Sequence, residues 1–226
     1  MDLSTVRFGG GSHDATTVPT GDRDLCIMEA VAYMAGEPWS DAPSCASPVI
    51  SAFLRTWNDA LSDEDRDRLL PAAVWVPRLV GSRGDDATEE RRAYLALDWL
   101  IHVYTPAWLD LVPSLAGHAA ALRALPEVVD VLTARVVADV VRAARDAARD
   151  AAGDAVWDAA GDAARDAAGD AVWDAAWDAA RDAAGDAAGD AARVALRPTV
   201  EMLQRSAIAL LDRMLACGEH RREEER

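Results

Sequence analysis

The residues with the chemistry to build a reactive site crowd toward one end of the chain: His13, Asp14, Cys26, Glu29, Asp41 and Cys45. Cys26 falls in the first turn of a helix-forming run, where unpaired amides favour a thiolate. Glu29 comes three residues later on the same helical face. A loop carrying Asp41 and Cys45 could fold back over that helix. Two chemistries are open to such a group. Cys26, Cys45 and His13 with Glu29 or Asp41 make an acceptable zinc set, although the chain has neither a C-x-x-C nor an H-E-x-x-H pair. Alternatively, Cys26 is a nucleophile served by His13 or His102 as base. Familiar cysteine hydrolases carry that histidine on a strand, and no segment here alternates as a strand does. Against both stands the usual state of free cysteine, a small buried hydrophobe. His102, inside the apolar run WLIHVY, reads as a satisfied core histidine, whereas His118 and His220 read as exposed. Asn58-Asp59 reads as the polar end of a helix, and FGGGSH lacks the strand and helix that flank a nucleotide loop.

The composition narrows the field further. The formal charge is −16, and every basic residue other than histidine is arginine. Without lysine there is no Schiff-base amine and no phosphate-loop lysine. The acidic balance argues against a nucleic-acid surface, which needs a basic patch to meet phosphate; it suits a basic partner or cations. No run approaches the roughly eighteen apolar residues of a membrane span. The N-terminus lacks a signal-peptide layout, and three cysteines fit a reducing compartment. The expected setting is the cytoplasm, with no membrane partner.

Helices must position these groups. Asp24 is placed to cap LCIMEAVAYMA, which Gly36 and Pro38 close. Ser47-Pro48 opens a helix with Ile50, Phe53, Leu54, Trp57 and Leu61 on one face. Ser62 begins an acidic turn, and Pro71 and Pro77 break up the next stretch. Thr88 opens a helix through Tyr104, Thr105-Pro106 restarts it, and Pro113 and Pro126 each start another. Val129, Leu132, Val136 and Val140 keep helical spacing beyond that, and Pro198 starts a last helix that Gly218 ends. The class is all-α. Residues 1–22 read as a flexible segment, 23–141 as a helical domain, 142–197 as an Ala/Asp repeat array, 198–218 as a C-terminal helix and 219–226 as a charged tail.

From Arg145 to Arg193 the chain repeats x-Asp-Ala-Ala. Within it, Asp150–Arg165 and Asp166–Arg181 differ only at Gly161 against Trp177. Near-identity over whole blocks points to recent duplication, which makes individual side chains there poor candidates for catalysis. Alanine favours helix. Four residues advance a helix by about 400°, so each Asp column walks about 40° per tetrad. No straight partner can track such a surface for long; the array must break, wind right-handedly or change partners. Stacked Asp residues and interior glycines disfavour the isolated helix, so packing, self-association or cations must complete it. Trp157, Trp173 and Trp177 are the candidate anchors of a close-packing face, with Asp154 and Asp170 in its acidic columns. The plainer alternative is a low-complexity expansion tolerated because it stays helical and soluble.

At FGGGSHD, CIMEAVAYMAGEPWSDAPSCASPVI, FLRTWND, RLVGSRGD and VYTPAWLDL the chain resembles a family of uncharacterised actinobacterial and actinophage proteins with Ala-rich C-terminal tails. The resemblance covers most of residues 8–125. It implies the boundary ahead of the array and brings no activity. The resulting expectation is an acidic helical interaction or scaffold module that binds a protein partner or itself through the array. The alternative is a small metal- or thiol-dependent enzyme centred on His13, Cys26, Glu29 and Cys45.

Overall fold

The computed structural model describes residues 1–11, 13, 19–156 and 185–224. Among them the fold is all-α, and the one extended pairing is an isolated parallel bridge between Arg7 and Asp22. The helices are α1 (Ile27–Ala35), α2 (Pro48–Ala60), α3 (Asp63–Leu69), α4 (Ala72–Leu79), α5 (Asp86–Trp99), α6 (Thr105–Leu109), α7 (Ala116–Arg123), α8 (Val131–Val156) and α9 (Gly185–Glu224). A π turn, Leu100–Tyr104, joins α5 to α6, and a 3-10 turn, Pro113–Leu115, precedes α7.

Local chemistry explains most boundaries. Ser47 caps α2 through its hydroxyl, with Pro48 in the first turn, and Ser62 caps α3. Gly36 closes α1 in the left-handed region at φ 68°. Three expectations give way. Asp24 does not cap α1: its carboxylate instead accepts from the Thr20 and Gly21 amides, and Cys26 takes the capping position. Pro77 lies within α4 rather than breaking it. Thr105-Pro106 does open a new α-helical segment, α6, but without a break in the chain's helical path. Proline lacks an N–H and its ring crowds the carbonyl four residues back, and the helix answers by widening into the π turn, with the Thr105 amide donating to Leu100 O. Pro198 is likewise carried inside a continuous α9, which Gly218 does not end.

The described residues form two compact units, Met1–Leu95 with Ile208–Arg226, and Ala96–Ala207. In the first, α1 packs against α2 and α4, burying Ile27, Met28 and Val31 against Ile50, Leu54 and Val76. Leu210, Leu211 and Met214 of α9 are buried in it as well. The end of the chain is therefore core, not appendage. Arg92, 1% exposed, fixes it there: Nε donates to Met214 O at 2.8 Å, and Nη1 donates to Ser82 O at 2.8 Å and to Glu89 Oε1 at 2.6 Å. Glu89 also accepts from the Ser47 hydroxyl and the Gly84 amide. Gly218 has its reason here, since a Cβ would stand 2.6 Å from Arg92 Nη2.

In the second unit the π turn packs against α6 and α7, and α7 against α8. Ile101, Leu109, Leu122, Val137 and Ala144 are buried. The apolar residues Leu132 and Val136, read from sequence as helically spaced, lie on the solvent side of α8, 65% and 69% exposed. The helix seats itself on Val137 and Ala144 because a small residue at the second position permits close approach. Both ends of the array are helical, in α8 up to Val156 and in α9 from Gly185. Trp157, Trp173, Trp177 and Asp170 lie outside the described residues, as does the side chain of Asp154.

Gly218→Ala is expected to lower the stability of the full chain by about 1–2 kcal/mol in chemical denaturation. The clash with a pinned guanidinium outweighs the roughly 1 kcal/mol gained in helix propensity. An unchanged or raised midpoint would show that Arg92 can move aside.

Candidate functional site

The N-terminal group does assemble in part, and its scaffold is the glycine-rich segment. Arg7 N donates to Gly21 O at 2.7 Å, Arg23 N to Arg7 O at 2.9 Å and Gly9 N to Leu25 O at 2.9 Å. Phe8 is buried at the centre of this stitching, so the stretch through Gly9 is firmly held rather than loose. Gly9 permits the approach: a Cβ there would meet Arg23 O at 2.5 Å and His13 Nε2 at 2.6 Å. Arg23 adopts φ 62°, a left-handed conformation unusual for a non-glycine residue. Its guanidinium donates to Phe8 O and to Asp67.

Asn58 and Arg66 supply the rest of the support. Asn58, buried in α2, donates through Nδ2 to Gly9 O at 2.9 Å. Arg66, 4% exposed, donates to Asn58 O, Leu61 O and Asp63. The Gly11 amide donates to Asp59 Oδ1 at 2.7 Å.

On this platform His13 meets Glu29. The His13 amide donates to Glu29 Oε1 at 2.9 Å, and Nδ1 lies 2.8 Å from Oε2. The Trp39 indole donates to His13 O at 3.1 Å. Glu29 Oε2 also accepts the Cys26 amide at 2.6 Å, while the Glu29 amide donates to Cys26 Sγ at 3.4 Å. The pair is a capping box in which sulfur stands where serine or threonine is usual. The three-residue spacing of Cys26 and Glu29 thus serves the helix end.

This geometry sets the chemistry of Cys26. The residue is 2% exposed. Burial outweighs the hydrogen bond from the helix-end amide, and with the nearby Glu29 carboxylate it pushes the thiol up to about 12. The expectation of a stabilised thiolate is thereby reversed: desolvation of an anion costs more than one helix end returns. Cys45 and Asp41 do not join the group. Cys45 is half-buried, with its carbonyl accepting the Arg83 amide, and burial raises its thiol too. Asp41 pairs with Arg55 at 3.3 Å. Among the described residues, no three His, Cys, Asp or Glu side chains are placed to hold a metal ion, so the zinc set finds no common centre. Asp14 lies outside the described residues.

The group that remains is a histidine oriented by a buried carboxylate, the arrangement of a general base. Its second nitrogen, however, packs over the Gly9 backbone, and the nearest thiol is committed to a helix cap. The arrangement fastens the N-terminal segment to α1.

His102, the alternative base, lies in the second unit, with both ring nitrogens engaged by Asp98 and Leu125. Sequence reasoning passed over Arg66, Glu89 and Arg92. The signal for the last two was their spacing, an acid three residues before a base at the start of a helix. Neither a family profile, nor a curated protein, nor a solved structure matches this chain.

Two outcomes test the site. In native protein, Cys26 is expected to resist an alkylating reagent at pH 8, where a thiol at about 12 is ionised on the order of one part in 10⁴. It should react fully once denatured, with Cys217 labelled first in the fold. Rapid native labelling of Cys26 would contradict its burial. Glu29→Gln leaves one amide N–H facing the donors that the carboxylate now satisfies, and is expected to cost about 2–3 kcal/mol in thermal or chemical unfolding.

Proposed function

We propose that this protein is an acidic, cytoplasmic, helical interaction module, and that it associates with a second copy of itself through the α8 face that leads into the array. The observation that carries this reading is the distribution of exposed large apolar side chains. Of fourteen such residues among those described, Met1, Tyr33, Met34 and Val74 belong to the first unit and the other ten to the second. On α8, Leu132 and Val136 stand one turn apart and are 65% and 69% exposed, and Val129, just ahead of the helix, is 53% exposed. Isolated exposed leucines are ordinary on a protein surface, but a continuous apolar stripe marks an interaction face. The stripe is continued by Ala143, just before the first x-Asp-Ala-Ala tetrad, and by Ala147 within it. Small side chains of that kind let a second helix come close.

The cytoplasmic assignment rests on three unpaired cysteines. No described helix is long and apolar enough to cross a membrane. The enzyme alternative gains no support from the N-terminal group, where Cys26 is capped and buried and Cys45 and Asp41 are engaged elsewhere.

Sedimentation or light scattering on the full chain tests the reading. A dimer or larger assembly is expected well above about 10 μM. Leu132→Glu combined with Val136→Glu should return it to monomer without loss of helicity or of melting temperature, because both side chains are already in water. A wild-type protein that stays monomeric, or an assembly indifferent to both substitutions, would remove the proposal.

A further inference from the structure

We propose that the cleft between the N-terminal segment and the α3–α4 corner binds a small organic acid by its carboxylate, with the acid's apolar body against the cleft wall. The cleft measures about 570 Å³ and lies wholly within the first unit. Residues 3–8 bound it on one side, and Asp67 with residues 70–73 on the other. Its size, its mixed walls and its small number of polar groups are those of a small-molecule site.

Two nearly dry amides in this wall need an acceptor. Arg7 uses both its amide and its carbonyl on the neighbouring segment, donating to Gly21 O and accepting from Arg23 N, and Gly9 N donates to Leu25 O in the same segment. Successive amides of an extended chain point to opposite sides. The Phe8 amide between them therefore points away from that segment, and it has no acceptor among the described residues. At α4 no side chain caps the helix. The Pro71 carbonyl accepts the Val74 and Trp75 amides, and the Ala72 amide is left with no acceptor among the described residues. Phe8 is 1% and Ala72 2% exposed. Amides so far from bulk water are almost always paired in folded proteins. Both residues line the cleft, and an oxygen bound there would satisfy them.

The charges of the wall select the kind of oxygen. Arg7 lines the cleft and is exposed. Its guanidinium bonds to no described residue, and a guanidinium can grip a carboxylate through two parallel N–H bonds. The Ser4 and Thr5 hydroxyls are already committed to Asp2, so polar recognition rests on the two amides and Arg7. Asp67 is the one acid lining the cleft, and it is paired with Arg23 at 2.8 Å. Its remaining negative potential opposes a dianion such as phosphate more than a singly charged carboxylate. Leu3, Val6, Leu70 and Pro71 offer apolar surface to the rest of the molecule. This site is independent of any association through α8.

The test is a titration of sodium hexanoate into the full chain at neutral pH, followed by the backbone amides in nitrogen-15 correlation spectra. The Phe8 and Ala72 signals are expected to move together and to saturate. Hexanol lacks the charge and acetate lacks the apolar body. Each should bind at least about tenfold more weakly, because a charge-assisted hydrogen bond carries about that factor and each buried methylene about fourfold. Arg7→Gln should weaken hexanoate about tenfold without lowering the melting temperature, since the side chain is exposed. The wild-type titration decides even if the variant is unstable. Phe8 and Ala72 signals that do not saturate with hexanoate overturn the proposal. So does inorganic phosphate or hexanol binding as tightly as hexanoate.

Discussion

A guanidinium withdrawn from water must recover its hydrogen bonds from the protein, and it cannot shed its charge to avoid the cost. Arg92 meets that constraint by drawing three parts of the chain to one point: the turn at Ser82, the acid one turn before it on α5, and the backbone of α9 at Met214. The last of these comes from 122 residues away. Satisfying one buried cation therefore requires the end of the chain to return to its beginning. Residues 96–207 become an insertion with both ends committed, rather than a tail added to a finished domain. A buried ion pair adds little net stability over a well-packed apolar substitute, but breaking it is costly. Its effect is to make alternative dockings of α9 unfavourable, and Gly218 adds to this because that contact has no room for a side chain.

The same solution is used with the opposite sign at Glu29. Its carboxylate is satisfied by two amides and the His13 ring, from two segments with no helical or sheet register between them. Arg66 does for the end of α2 what Glu29 does for the start of α1. The N-terminal segment, poor in large apolar residues, is thus held by polar bonds around the single side chain of Phe8. Its glycines serve that arrangement through close backbone contact.

How much of this was readable in advance depends on whether the deciding interaction is local. Ser47-Pro48, Ser62 and Gly36 were legible because a cap involves neighbours within four residues. Cys26 and Glu29 were legible as a pair but not in role: the spacing that presents a thiol and a carboxylate on one face is also that of a capping box, and only burial chooses between them. Asp24 was misread because Thr20 and Gly21 offered it nearer donors. Gly218 reads as a helix end in sequence because its actual neighbour, Arg92, is remote. The apolar spacing was correct as helix for Leu132 and Val136 but not for Val129, which precedes α8, and periodicity fixes a face without saying what that face meets.

The seam that α8 does bury bears on the array. Val137, Val141, Ala144, Ala148 and Ala151 are buried or half-buried, a spacing alternating four and three residues, or 3.5 on average. The array repeats every four. A 3.5-residue seam crossing a four-residue repeat slips half a residue at each step, so it stays on alanine for only a few steps. Carried along the sequence, the same spacing passes Ala155 and then reaches Asp158, a charge. The neighbour that accompanies the start of α8 therefore cannot accompany the array in the same register. This drift is set by the repeat length alone, whatever the variable position holds, and duplicating a block of sixteen residues copies it unchanged.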